Sequence, residues 1–175
     1  VLATSSNIGT ILAAERIGGK KLSKYLKKFG IGQPTGLKFP GESNGFVPEH
    51  EDWSPTSFPT ISFGQGLSVN SVQVASVYST IANDGLRVEP SLVKRIIHAD
   101  GTSEQPAAPQ TTRVVSRDTA IQMRVMLESV VGKGGTATKA KIPGYRVGGK
   151  TGTAQVNDVR IGGYSDEVIA SFVGM

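Results

Sequence analysis

The sequence has no cysteine, so neither a disulfide nor thiol chemistry is available to it. It has one tryptophan and only 6% aromatic residues, too few for a stacking surface of the kind that reads nucleic-acid bases. It has two histidines, His50 and His98. His50 lies among Glu49, Glu51 and Asp52, which reads as a solvated acidic turn, and His98 has no such neighbours. No metal site and no cofactor are therefore expected. No apolar run approaches the roughly 20 residues of a membrane span, and no signal peptide is visible. What remains is a 175-residue chain, 38% hydrophobic and 19% charged, with a net charge of +5. That is a globular composition with room for one proper core. The positive charge permits attraction to an anionic polymer or membrane without showing it.

The most informative stretch is Tyr145-Arg146-Val147-Gly148-Gly149-Lys150-Thr151-Gly152-Thr153-Ala154-Gln155-Val156. Its β-branched residues suit a pleated surface, and alternation puts Tyr145, Val147, Thr151, Thr153 and Gln155 on one face. Gly148, Gly149 and Gly152 weaken a strand and need a reason, such as close approach of a ligand or another backbone. A cation, two hydroxyls and open backbone at one place suit a carboxylate or an amide. Strict alternation puts Lys150 opposite Thr151, so its side chain must curl round the edge or the strand must twist. The same letters, Gly144 to Thr151, match G-x-x-x-x-G-K-[ST], the phosphate-binding loop. That loop needs a buried strand before it and a helix after it. Neither flank reads that way, and the nucleotide alternative rests on the letters alone.

Taken in order, Ser5-Ser6-Asn7 precedes a helical run from Ile8 to Ile17 that ends at Gly18-Gly19, which reads as a helix start. Leu22, Tyr25, Leu26 and Phe29 then fall on one helical stripe, closed by Gly30. Lys20, Lys21, Lys24, Lys27 and Lys28 lie off it, as a solvated face does. From Ile31 to Gly66 the chain is rich in proline and glycine. That is a long irregular connection of the sort that wraps a site, pinned by Trp53, Phe58 and Phe63. Ser68 to Asp84 is the clearest helix, with Ser68 as cap and Val74, Val77, Tyr78 and Ile81 as its inward stripe. Leu86 to Ala99 looks extended, with a hairpin signal at Asp100-Gly101. Ser116 caps another strong helix whose inward stripe is Met123, Met126, Leu127 and Val130. The glycine-rich strand follows, turns at Gly162-Gly163 and returns as Val168 to Val173. The class is mixed α and β with antiparallel strands. Residues 1–135 form a mainly helical part containing the loop 31–66, and residues 144–175 a β-hairpin of a central sheet.

Ser5-Ser6-Asn7 resembles the S-x-N motif, and Lys150-Thr151-Gly152 the K-T-G motif, of penicillin-binding proteins and serine β-lactamases. Gly41-Glu42-Ser43, Gly64-Gln65-Gly66-Leu67-Ser68, Ile81-Ala82-Asn83-Asp84-Gly85 and Lys150 to Gln155 look like class B penicillin-binding proteins, especially the cell-division type. The order and spacing of these blocks cover the whole chain. The resemblance implies the penicillin-binding protein and serine β-lactamase-like fold, an antiparallel sheet packed against helices with a helical subdomain. It implies D,D-transpeptidation, in which a serine attacks the D-Ala-D-Ala bond of a peptidoglycan stem peptide and the acyl group passes to an amine of a neighbouring stem. β-Lactams would acylate the same serine. A penicillin-sensing or β-lactam-hydrolysing relative on the same fold is the alternative.

Carried over by position, Ser5 would relay protons, Asn7 would hydrogen-bond the substrate amide carbonyl and Lys150 would supply positive charge. Thr151 and Thr153 would bind the substrate carboxylate, Gly152 would leave room along the strand, and the Thr153 N–H would form half of an oxyanion hole. The resemblance further implies the extracytoplasmic face of a bacterial membrane, an anchor outside these residues, and membrane partners in cell division and cell shape. Nucleic acid is not expected.

One element of the pattern does not fit. The nucleophile motif S-x-x-K should precede Ser5 on a helix, where positions i and i+3 share a face. The sole S-x-x-K match, Ser91-Leu92-Val93-Lys94, follows Ser5 in an extended stretch. Val1-Leu2-Ala3 begins inside an apolar segment and Val168 to Met175 stops inside an expected strand. The chain is therefore expected to be the C-terminal portion of a transpeptidase domain, the fold incomplete and the chain inactive alone.

Overall fold

A computed structural model describes residues 1–158 and 160–175. Two helices open it, α1 (Asn7–Ile17) and α2 (Gly19–Lys28), with one residue between them. The Ser6 hydroxyl accepts from the Gly9 N–H at 3.1 Å and caps α1. Gly18 ends α1 by donating its N–H to the Ala14 carbonyl, and its own carbonyl accepts from Leu22 in α2. It does so at φ +78°, which a side chain would strain. On α2 the stripe Leu22, Tyr25, Leu26 and Phe29 is half-buried while all five lysines are exposed, as the sequence predicts.

The connection that follows is less bare than expected. It contains a 3-10 turn at His50–Asp52 and the short helix α3 (Ser57–Ser62). Its fixing points are polar as well as aromatic. Trp53 donates its indole N–H to the Pro48 carbonyl at 3.0 Å and stacks near Phe58, with ring centroids 6.2 Å apart. Glu42 accepts from the Thr35 N–H and from the Asn70 side-chain amide. Gln73, only 2% exposed, donates to the carbonyls of Gln33 and Asn44 at 2.7 and 2.8 Å. One buried amide thus closes the loop onto the next helix.

That helix, α4 (Ser71–Ala82), is capped by Asn70 and not by Ser68. Asn70 and Gln73 form a reciprocal capping box, whereas Ser68 exchanges backbone hydrogen bonds with Phe46. The most buried positions on α4 are Gln73, Ser76, Thr80 and Ile81. The expected stripe is turned: Val74, Val77 and Tyr78 are half-buried, and on the more buried face Gln73 reaches the loop carbonyls of Gln33 and Asn44. Beyond α4, β1 (Leu86–Val88) pairs antiparallel with β4 (Thr111–Arg113). Between them β2 (Ile96–Ile97) and β3 (Ser103–Glu104) form a hairpin about Asp100-Gly101. This hairpin packs chiefly on itself, and Leu92, Val93 and Ile97 stay exposed.

Helix α5 (Arg117–Val131) has Ser116 at its cap, as expected. Its buried face is Ala120, Leu127, Val130 and Val131. Met123 is half-buried, and Met126, expected inward, is 46% exposed because it lies at the edge of that stripe. Val130, Val131 and Ala137 form a buried cluster joined by Leu2, Ala140 and Val147. The chain then enters β5 (Gly149–Asp158) and returns antiparallel as β6 (Gly163–Gly174), longer than the expected Val168 to Val173. Tyr145 to Gly148, expected in the strand, precede it. Because Lys150 and Thr151 enter a strand and not a helix N-terminus, the phosphate-loop reading of Gly144 to Thr151 is overturned. Among the described residues no helix is long and apolar enough to cross a membrane.

Gln73→Ala should cost about 2–4 kcal/mol in urea denaturation, because it strands two loop carbonyls and opens a buried space. Residues 31–56 should become protease-sensitive in the same variant, and a change below about 0.5 kcal/mol with an intact loop would contradict the account. Glu42 gives a second check. Its carboxyl is held below the usual range by hydrogen bonding to Thr35, hydroxyl and then N–H, and by Asn70. Stability from such a group is present above its ordinary pKa and lost as pH falls through the lowered value. Glu42→Gln should therefore flatten the acid limb of the melting profile as pH falls below the ordinary glutamate range, and an unchanged slope would reject the linkage.

Candidate active site

The buried cluster at the end of α5 positions two separate pieces of chain. Leu2 packs into it from the N-terminus, and the Thr136 N–H donates to the Ala3 carbonyl at 3.1 Å. Val147 packs into it from the other side and leads directly into β5. Ser5 therefore stands against Lys150 although 145 positions separate them.

Ser5 is held in an uncommon backbone shape. Its φ is +52°, in the left-handed region that a side chain disfavours. The bonds that fix it are its N–H to the Leu2 carbonyl and the Ser6 N–H to the Val1 carbonyl, at 3.2 and 3.1 Å. Strain of this kind, at order 1–3 kcal/mol, persists where surrounding contacts over-determine the backbone.

Lys150 answers the question its register raises. It faces away from Thr151 by strand alternation, yet its ammonium returns over the edge. Nζ donates to Ser5 Oγ at 2.6 Å and to the Thr151 carbonyl at 3.0 Å, with Thr151 Oγ1 at 3.5 Å. The Thr151 hydroxyl in turn shares a hydrogen bond with Thr136 Oγ1 at 2.8 Å. Hydroxyl, ammonium, hydroxyl and hydroxyl thus form a connected line. No carboxylate takes part in it, so the cation is held by dipoles and keeps its charge for something that enters. Partial burial lowers the Lys150 ammonium below the ordinary lysine value, which eases proton transfer.

The line borders an open cleft of about 840 Å³. Ser5, Asn7, Lys150, Thr151, Gly152 and Thr153 all border it, so all six residues singled out from the sequence meet in one place. Among the described residues the side chains of Asn7 and Thr153 have no hydrogen-bond partner, and both are exposed to the cleft. The far wall is Ser62, Phe63, Gly64 and Gln65, from the end of α3 and the turn after it. Thr136, Ser62 and Ser171 were not singled out from the sequence. Nothing in the spacing of Thr136 says that it meets Thr151, since the meeting depends on how α5 ends. Ser91 and Lys94 do not border the cleft and lie in an irregular exposed segment, where Ser91 donates to the Val93 carbonyl.

The three glycines have physical reasons that differ. A Cβ at Gly148 would lie 3.3 Å from Leu127 Cβ, so its absence seats the chain on α5. A Cβ at Gly149 would lie 2.5 Å from the Phe172 ring, which crosses the strand there. At Gly152 the neighbour is the Ser171 hydroxyl, and the other side is the cleft. Two of the three serve packing, and one keeps the strand edge open beside the cation.

A strand that offers Lys-Thr-Gly across a cleft to a helix-leading Ser-Ser-Asn is the arrangement of a penicillin-recognising acyltransferase. The comparisons agree. The family model of the penicillin binding protein transpeptidase domain matches residues 1–175. The chain belongs to that family, and within it to the class B penicillin-binding proteins. It is 42% identical over 174 residues to penicillin-binding protein PbpB of Mycolicibacterium smegmatis, covering 96% of this chain and 27% of that protein. It is 40% identical over 176 residues to the probable peptidoglycan D,D-transpeptidase PbpC of Pseudomonas aeruginosa, covering 100% of this chain and 29% of that protein. The crystal structure of penicillin binding protein 3 from Mycobacterium tuberculosis complexed with ampicillin superposes with a TM-score of 0.96. Identity there is 41%, over 100% of this chain and 40% of that one. The chain spans between a quarter and a third of the length of the curated relatives it matches.

Lysine labelled with ¹³C at Cε should show Lys150 titrating below the ordinary lysine value, because burial disfavours its charged form. A Lys150 resonance that titrates at that ordinary value would contradict this.

Proposed function

We propose that this chain supplies two walls of the acyl-transfer site of a peptidoglycan D,D-transpeptidase. The observation that carries the reading is the Lys150 ammonium, bonded to Ser5 and Thr151 and free of any carboxylate among the described residues. An unneutralised cation beside exposed hydroxyls and amides suits a ligand that ends in a carboxylate. The C-terminal carboxylate of a D-Ala-D-Ala stem would meet Thr151, Thr153 and the field of Lys150. Asn7 would donate to the amide carbonyl one residue back. The scissile carbonyl would then lie along Gly152, with the Thr153 N–H directed at the oxygen on which charge develops.

The attacking serine comes from sequence outside these 175 residues, since the Ser91 match is remote from the cleft. Its oxygen bonds to the D-Ala carbonyl carbon, and the bond to the terminal D-Ala nitrogen breaks. The departing amine needs a proton, and Ser5, bonded to Lys150, is placed to pass one. An amine of a second stem then takes the acyl group and restores the serine. A β-lactam presents a carboxylate and a strained amide in the same order and would stop at the acyl-enzyme. The penicillin-sensing or hydrolysing alternative is not adopted, because relatives at 40–42% identity carry the names penicillin-binding protein and peptidoglycan D,D-transpeptidase. We place the protein on the extracytoplasmic face of a bacterial membrane, with an anchor beyond these residues and membrane partners in division.

The test is fluorescent-penicillin labelling with peptide mapping. The longer protein should be labelled on a serine outside Val1 to Met175, and the chain alone should not be labelled. Lys150→Ala in the longer protein should slow acylation by roughly 10²-fold or more. Label on Ser5 or Ser91, or full-rate acylation without Lys150, would overturn the assignment.

A further inference from the structure

A second concavity, of about 570 Å³, lies at the opposite ends of the two helices that border the cleft. Asn7 and Thr10 of α1 line the cleft, whereas Glu15 and Gly18, at the other end of α1, line the second site. In α3 the order is matched: Ser62 lines the cleft, and Phe58, with Ser54 and Pro55 just before the helix, lines the second site. The two helices pack together. The separation is set by α1, whose 11 residues span about 16 Å.

The centre of this site is Trp53. Its N–H is already used by the Pro48 carbonyl, so the ring that borders the concavity is fixed and its donor is committed. His50 packs against it with ring centroids 5.1 Å apart. The floor is Gly19, where a Cβ would lie 3.2 Å from Trp53 Cζ3 and 3.0 Å from His50 Nε2, closer than such atoms sit comfortably. At the rim stands Glu15, exposed and with no ion-pair partner among the described residues. A fixed aromatic plane with a carboxylate, an imidazole and a hydroxyl around it is amphipathic in the manner of a sugar ring. The ring's C–H face would meet indole, and its hydroxyl and amide edge would meet Glu15, His50 and Ser54. The carboxylate argues against an anionic occupant.

We infer that the Trp53 site is a saccharide subsite that holds an N-acetylated amino sugar of the glycan to which the reacting stem peptide is attached. The inference rests on the peptidoglycan reading of the cleft. It adds that the strand is gripped by its sugar at one end of α1 while its peptide is processed at the other.

The probe is the β-1,4-linked tetramer of N-acetylglucosamine, added to the longer protein that carries this chain. Saturation transfer to the sugar ring protons should be seen, with a Kd in the millimolar range. Trp53→Phe should weaken binding several-fold and Glu15→Gln likewise, both judged on protein with wild-type melting temperature. No transfer at about 10 mM sugar, or transfer that neither substitution reduces, would overturn the inference. The wild-type protein is assayed for penicillin acylation in parallel. Acylation without sugar binding rejects the subsite alone, and sugar binding without acylation rejects the transpeptidase reading.

Discussion

The arrangement depends on the packing of one aliphatic side chain, Leu2, into the end of α5. That contact and the Thr136 to Ala3 hydrogen bond beside it tie the N-terminal turn to the end of α5, on the side where Ser5 meets Lys150. The same cluster takes Val147 from the other direction, so a single small core joins the N-terminal turn to the start of β5. Such a core is economical because it positions polar groups without being polar itself. Its fully buried member, Val130, lies beneath both motifs and borders neither the cleft nor its polar groups.

Much of this was readable from the sequence wherever a local rule acted alone. The glycine stop at Gly18, the helix start at Ser5-Ser6-Asn7, the cap at Ser116, the α2 stripe and the Asp100-Gly101 turn each follow from a few neighbouring residues, and each is present. The readings that fail do so where a distant partner outweighs the local pattern. Asn70 takes the cap of α4 from Ser68 because Gln73 can answer it and also hold the loop. The valines of α4 yield the most buried face to Gln73, Ser76 and Thr80, and of these Gln73 reaches the loop carbonyls. The six motif residues were legible as letters, but their meeting was not. The curl of Lys150 over its strand edge and the bond from Thr136 to Thr151 are products of tertiary packing.

The electrostatics of the cleft follow from what is left out of it. A lysine near a carboxylate would be neutralised and fixed. Here the partners are hydroxyls and a carbonyl, which hold the ammonium in place at little cost to its field. Partial burial then makes its proton easier to give up. One side chain can thereby attract an anion and take part in proton movement, two roles that would conflict if a fixed carboxylate stood beside it.

Ser5 occupies a left-handed backbone position that glycine would fill without strain. Its hydroxyl is also the one that Lys150 holds. Conformation and chemistry therefore ask for different residues at the same place. A population of variants selected only for thermal stability should drift toward glycine there, and one selected for growth should keep serine. Under the role proposed for Ser5, residue frequencies at position 5 under the two regimes would separate the demands of folding from those of acyl transfer.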